Sequence, residues 1–163
     1  MTISVASESQ LGIIQNLAKV IWPEAYGAIL SEAQLDYMME MMYSNDSLRS
    51  QLLSNNVFLL AEIENKIVGF ASYELNYQNS TATKIHKLYV LPEIQGKGVG
   101  KAFIQYIQNI ALKQANSALI LNVNKYNKAK DFYLHNGFEI ADSLVVDIGN
   151  GYVMDDFVME KKI

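Results

Sequence analysis

Cysteine is missing altogether from the 163 residues, and proline and histidine occur only twice each. Without cysteine there is no disulfide, no thiol nucleophile and no zinc site built on thiolates. The two histidines, His86 and His135, are too few for a multi-histidine metal centre. Two prolines and nine glycines exclude a linker-rich or disordered chain. Positive charge is also scarce: 13 Lys and Arg stand against 17 Asp and Glu, for a net charge of −4 and a pI near 5.1. That balance argues against nucleic acid as a partner and suits a small neutral or cationic ligand. No apolar run approaches membrane length; the longest, Val57 to Ala61 and Leu119 to Leu121, are strand-sized. The first ten residues have neither a basic start nor a long apolar stretch, so a soluble cytoplasmic chain is expected.

What is present suits one packed domain over residues 1–163, with half the residues hydrophobic. Thr2 to Ala6 is strand-prone, and Ser7 is placed to cap a helix. Leu11, Ile14, Leu17, Ala18 and Ile21 recur at helical spacing up to Trp22, where Pro23 is expected to end the helix. Ser31 to Gln34 is a capping box that opens a second helix through about Met42. Its Met38, Met39, Met41 and Met42 read as a core stripe or as the lining of an adaptable pocket. A short third helix is expected over Ser47 to Leu53. A β-meander follows: Val57 to Ile63, a turn at Glu64-Asn65, Lys66 to Tyr77, then Thr83 to Val90. Beyond the glycine cluster a long helix carries Phe103, Ile104, Ile107, Ile110 and Ala111 on one face. Ala118 to Val123 reads as a strand covered on both faces. Asn127 caps a helix ending at Asn136-Gly137. Phe138 to Ile148 and Tyr152 to Lys161 form a terminal hairpin through Gly149-Asn150-Gly151. This order predicts an α/β (α+β) domain with a mixed sheet.

The chemistry-bearing segment runs from Leu88 to Lys101, a strand that enters a glycine turn and continues straight into a helix. Backbone N–H groups at a helix start, with glycines that admit a ligand closely, form an anion site suited to phosphate or pyrophosphate. A Walker A loop would need glycine at position 95 and Ser or Thr at 102, where Gln95 and Ala102 stand. A dinucleotide fingerprint from Gly96 would need glycine or alanine at 101, where Lys101 stands. What fits is Gln-x-x-Gly-x-Gly, from Gln95 to Gly100.

In that pattern the chain resembles the GNAT acetyltransferase superfamily, whose acetyl-coenzyme A loop has the form Q/R-x-x-G-x-G/A. Asn127 to Phe138 resembles the family's second signature, N-x-x-A-x-x-F-Y-x-x-x-G-F. The specific likeness covers about residues 57 to 138. It implies a GNAT-like domain whose central, largely antiparallel sheet is flanked by helices and contains one splayed parallel strand pair. It also implies acetyl-CoA-dependent N-acetylation of a primary amine.

The resemblance carries roles to particular residues. Gln95, Gly96, Lys97, Gly98, Val99, Gly100 and Lys101 would surround the coenzyme pyrophosphate. Leu88 and Val90, with Tyr89 between them, would pair with the pantetheine arm through the backbone. Asn122 and Asn127 lie near the expected splay, and Asn127 also serves as a helix cap. Tyr133 stands where family members place the acid that protonates the departing thiolate; otherwise it packs beside Phe132. The family's usual glutamate is missing from the strand before the loop, which leaves His86 as candidate base or as a structural histidine. Trp22, Tyr26, Glu32, Tyr37, Tyr152 and Asp155 are the acceptor-site candidates, and aromatics with carboxylates suit an aliphatic cation. The expected acceptor is a small cationic amine or polyamine, with no nucleic acid or membrane partner, bound by a monomer or homodimer. The alternatives are a protein N-terminus or lysine as acceptor, or a CoA-binding regulatory module without turnover.

Overall fold

The apolar spacing near the N-terminus builds the first long helix, α1 (Leu11–Tyr26), which buries Leu11, Ile14, Leu17, Ala18, Ile21 and Trp22. The computed structural model describes residues 1–163. Pro23 does not end α1: the helix runs three residues further, and the Pro23 carbonyl accepts the Gly27 N–H at 2.9 Å. A proline in a last turn costs one backbone bond, that of its own missing N–H, and the turn beyond it closes normally. Ser7 caps a 3-10 turn (Glu8–Gln10) ahead of α1 rather than α1 itself. Ser31 Oγ accepts the Gln34 N–H at 3.2 Å and starts α2 (Glu32–Tyr43), as the capping box predicts. Ser44 does the same for α3 (Asn45–Leu53).

The strands are β1 (Thr2–Val5), β2 (Val57–Ile63), β3 (Lys66–Glu74), β4 (Ala82–Val90), β5 (Ala118–Asn124), β6 (Glu139–Gly149) and β7 (Tyr152–Lys162). They form one seven-stranded sheet in the order β1-β2-β3-β4-β5-β7-β6. β1 with β2, β2 with β3, β5 with β7 and β6 with β7 pair antiparallel, and β4 with β5 is parallel over Ala82–Ala118 to Ile85–Leu121. Glu64 and Asn65, both at positive φ, close the β2–β3 hairpin. β3 stops at Glu74, short of the predicted Tyr77, because Asn76, Gln78 and Asn79 all take positive φ.

The chain divides into two compact units. Unit 1 (residues 1–74 and 86–107) holds α1 to α3, β1 to β3, the distal half of β4 and the start of α4 (Val99–Lys113). Gly69 is required there, because a Cβ at that position would lie 2.7 Å from the Tyr89 carbonyl oxygen. Unit 2 (residues 75–85 and 108–163) holds the parallel ladder, α5 (Ala129–His135) and the β6–β7 hairpin. In it β5 buries Leu119, Leu121 and Val123 but leaves Ile120 and Asn122 half-exposed, so the strand is covered on one face rather than both. Of the methionines on α2 only Met38 is buried, and Met39 lines a cleft.

Candidate active site

In unit 1, β4 leads through Leu91 and a 3-10 turn (Pro92–Ile94) into the glycine loop. Gly96 and Gly98 adopt φ of +80° and +83°, and nothing lies within 4 Å of where a Cβ would stand on either. Gly98 O accepts the Ala102 N–H at 3.0 Å, which leaves the amides of Val99, Gly100 and Lys101 as the first-turn donors that α4 cannot use itself. These amides at a helix start, with open space above two glycines, are a cradle that fits a pyrophosphate. Val99 is buried and anchors the turn, while Lys97 and Lys101 are exposed. The Lys97 amide serves the loop, donating to Ile94 O at 3.3 Å, and Gln95 Nε2 donates to Val90 O at 3.3 Å. Both hold the turn in shape. Gly100 is helical, so of the three glycines only Gly96 and Gly98 need their conformational freedom.

Behind the loop stands an aromatic cluster. The Trp22 ring meets Tyr26, Tyr43 and Tyr89 at 4.6, 5.3 and 5.9 Å, and Phe70 meets Tyr89 at 5.4 Å. Trp22 Nε1 donates to Tyr43 Oη at 3.1 Å, and the Tyr26 and Tyr89 hydroxyls share a hydrogen bond at 3.0 Å. Tyr89 is thus part of this packing. Lys87 Nζ sits 5.4 Å above the Tyr43 ring and donates to Gln51 Oε1 at 2.6 Å; burial lowers its pKa to about 8.

Trp22 and Tyr43 also floor a cleft of about 580 Å³ between α1 and α2. Its wall carries Glu32, Asp36 and Glu40, spaced four apart on α2 and so on one helix face, with Lys19 the cationic residue lining it. Of the acceptor candidates this cleft takes in Trp22 and Glu32; Tyr26 is turned to Tyr89, and Tyr37 lies on α2 outside the lining. Asp36, Glu40 and Tyr43 are residues that sequence reasoning misses, although the four-residue spacing from Glu32 is visible in the chain. His86 Nε2 lies 2.9 Å from Glu74 Oε2, a partner that no local pattern singles out.

In unit 2, β5 continues past its ladder with β4 from Asn122 to Asn124. The Lys84 ammonium donates to Asn122 Oδ1 and lies 5.6 Å over the Tyr77 ring. Its pKa falls to about 8 through burial, opposed by the nearby Asp156. Asp156 is only 3% exposed, and burial lifts its carboxyl to about 6, against the pull of Lys84. Asp155 points to the other face and pairs with Lys125 Nζ at 2.5 Å, while Tyr152 opens β7 opposite Gly149. Asn127 Oδ1 accepts the Ala129 N–H at 2.8 Å, the capping role expected of it. Tyr133 is 8% exposed on α5, edge-on to Phe132 and Phe138 at 5.2 and 5.6 Å.

Asp156 has a measurable consequence for stability. Its folded pKa of about 6 exceeds the unfolded 3.8, so between these values the folded chain binds more protons than the unfolded one. Stability contributed by this group is present at low pH and is lost as pH rises through that window. Asp156→Asn should therefore melt above the wild type at neutral pH, with the advantage shrinking as pH falls toward about 4. Thermal melts across this range read it directly, and a variant that melts lower at neutral pH would contradict the assignment.

Comparison with known proteins extends the geometry to a family. The acetyltransferase (GNAT) domain model matches residues 28–155. A spermidine N(1)-acetyltransferase of Thermoplasma acidophilum is 27% identical over 162 residues, covering 96% of this chain and 93% of the relative. The crystal structure of PaiA N-acetyltransferase from the same organism, in complex with coenzyme A, superposes at a TM-score of 0.81 with 27% identity, over the full length of both chains. A GCN5-related N-acetyltransferase from Rhodopseudomonas palustris shares the fold at a TM-score of 0.84 and 20% identity, over 99% of this chain and 95% of that one. No helix is long and apolar enough to cross a membrane. Since the matched residues take in both the glycine loop and the Asn127 to Phe138 signature, the chain belongs to the GNAT family and is an acetyl-coenzyme A-dependent N-acetyltransferase.

Proposed function

We propose that the acceptor is a small cationic amine, a diamine or polyamine, and that it binds along the α1–α2 cleft. The observation that carries this is the row Glu32, Asp36 and Glu40 over a floor of Trp22 and Tyr43. Aromatic faces and apolar stems take up methylenes, while carboxylates at helical spacing meet nitrogens along an extended chain. The name of the 27%-identical relative points to the same substrate class. When bound, acetyl-CoA would supply an activated thioester; the amides of Val99, Gly100 and Lys101 would hold its pyrophosphate, and the Tyr133 hydroxyl is the group proposed to act as the acid.

Exposed charge contacts contribute about 0.2–1 kcal/mol each, so the combined change Glu32→Gln, Asp36→Asn and Glu40→Gln should raise KM for spermidine roughly tenfold. kcat should hold, and the gap should narrow with salt. Thiol release with spermidine, a simple diamine, an amino acid and an N-terminal peptide, at low and high salt, is the measurement. Preference for the peptide or the amino acid with no salt dependence would overturn the cationic reading and leave N-acetyl transfer intact.

A further inference from the structure

The C-terminal end of α2 is held by side chains from α1, α3 and β4. The last four carbonyls of a helix have no partner within it. Here Glu40 O accepts the Ser44 N–H at 3.3 Å and Met41 O the Ser47 hydroxyl at 2.7 Å. Met42 O accepts the Gln51 amide at 2.8 Å, and Tyr43 O the Gln15 amide at 2.8 Å. Gln51 stands at the centre of this set, since its Nε2 also donates to Ser47 Oγ at 3.0 Å. Its Oε1 accepts from Lys87 Nζ at 2.6 Å, and the same ammonium lies 5.4 Å over the Tyr43 ring. Lys87 thus meets both a residue that caps the end of α2 and the residue that ends it. All of these residues belong to unit 1, as do the α1–α2 cleft and the glycine loop.

Lys87 is half-buried, and its partners are an amide oxygen and a ring rather than a carboxylate. Drawing an ammonium out of water onto neutral partners is unfavourable unless its bonds bring another element into place. That element is α2. Only Met38 and Tyr43 of its twelve residues are buried, so apolar packing alone orients this helix weakly. We infer that Lys87 is a positioning residue for the acceptor: through Gln51 and Tyr43 it sets the angle at which α2 presents Glu32, Asp36 and Glu40 to the cleft. The inference rests on the amine-acceptor reading above for the nature of the ligand. Lys87 forms and breaks no bond in the reaction. Its charge and its position act in opposite senses, which makes them separable. As a cation beside the cleft floor, Lys87 repels a cationic acceptor; as a clamp, it improves the acceptor's contacts with the carboxylates. The repulsion is screened by solvent and salt, whereas the short hydrogen bond from a charged donor is local, so position prevails.

The experiment compares Lys87→Met, Lys87→Arg, Gln51→Leu and the double variant Lys87→Met with Gln51→Leu against the wild type. It measures kcat and KM for a simple diamine, KM for acetyl-CoA, and hydrogen exchange of the α2 and α4 amides in the ligand-free protein. Lys87→Met and Gln51→Leu should each raise the diamine KM about tenfold, with kcat and the acetyl-CoA KM changed by less than about twofold. The double variant should match the worse single one, because both cut the same connection. Lys87→Arg, which keeps a charged donor, should recover part of the affinity. Amides of α2 should exchange faster in both single variants, and those of α4 should not. A retained acetyl-CoA thermal shift shows that each variant is folded, and if Lys87→Met does not fold, Gln51→Leu decides. An unchanged or lowered diamine KM would overturn the inference while leaving the amine reading standing, as would an equal rise in the acetyl-CoA KM. If the wild type acetylates no amine, the amine reading falls and exchange decides the rest. Faster exchange confined to α2 then sustains Lys87 as the residue that orients this wall, and unchanged exchange overturns it.

Discussion

Acetyl-CoA should no longer raise the melting temperature of the Gly98→Val protein. A ligand that binds only the folded chain stabilises it by about 2.7 kcal/mol at a hundred times its Kd, a shift of several degrees that is easily seen in the wild type. At Gly98 the backbone stands at φ +83°, and no atom lies within 4 Å of where a Cβ would stand, so conformational strain rather than collision makes valine unsuitable. A β-branched residue in that region costs at least about 1–2 kcal/mol, and the loop relieves the cost by leaving it. Leaving it moves the Gly98 carbonyl that closes the first turn of α4, and with it the amides of Val99, Gly100 and Lys101. The expected loss of affinity is about a hundredfold or more, roughly 3 kcal/mol, with the far-UV spectrum unchanged. Gly12→Ala is the control: Gly12 is helical in α1 with nothing within 4 Å of its Cβ position, and alanine should stabilise by about 0.5–1 kcal/mol without touching the shift. An undiminished acetyl-CoA shift in Gly98→Val would remove the loop from the coenzyme site.

The second large effect is on turnover. Tyr133→Phe should lower kcat by about tenfold to ten-thousandfold while KM for acetyl-CoA barely moves. The substitution keeps the ring that packs edge-on against Phe132 and Phe138, and removes only the hydroxyl. Stability should hardly change. A thiolate leaving without a proton is a poor outcome in a dry site, so the missing hydroxyl should matter most for weakly basic acceptors. Single-turnover acetyl transfer, compared with acetyl-CoA binding by thermal shift, separates the chemical step from affinity. Wild-type kcat in Tyr133→Phe would reduce this residue to packing.

Sequence reading reaches the fold because its punctuation is local. The Ser31 cap, the Glu64-Asn65 turn, the Asn127 cap and the Gly149 to Gly151 turn are each written in a few adjacent residues, and each forms as read. It misses where a local signal meets a competing one. Pro23 marks a helix end by propensity, but the α1 hydrogen bonds past it close without the one it removes. The glycine loop is legible for the same reason as the turns: spacing alone separates it from other phosphate motifs. Across strands the reading thins out. That His86 meets Glu74 and that Lys84 meets Asn122 depend on register between strands up to about 40 residues apart, which period-two alternation cannot supply.

The α1–α2 cleft divides labour in a way that bears on how such an enzyme changes over generations. Its floor, Trp22 and Tyr43, is locked into the core by rings and a hydrogen bond, and few substitutions there would be survivable. Its wall is different. Glu32, Asp36 and Glu40 project from exposed positions of α2, and exchanging them leaves the buried Met38 and the Ser31 cap in place. Surface exchanges of this kind usually shift stability by less than about 0.5 kcal/mol. On the proposed acceptor reading, a lineage can therefore rewrite the charge its acceptor must carry through single, nearly neutral steps, while the coenzyme loop stays fixed. Substrate preference in such a scaffold is the easiest trait to inherit differently, and close relatives with the same core should diverge first along this helix face.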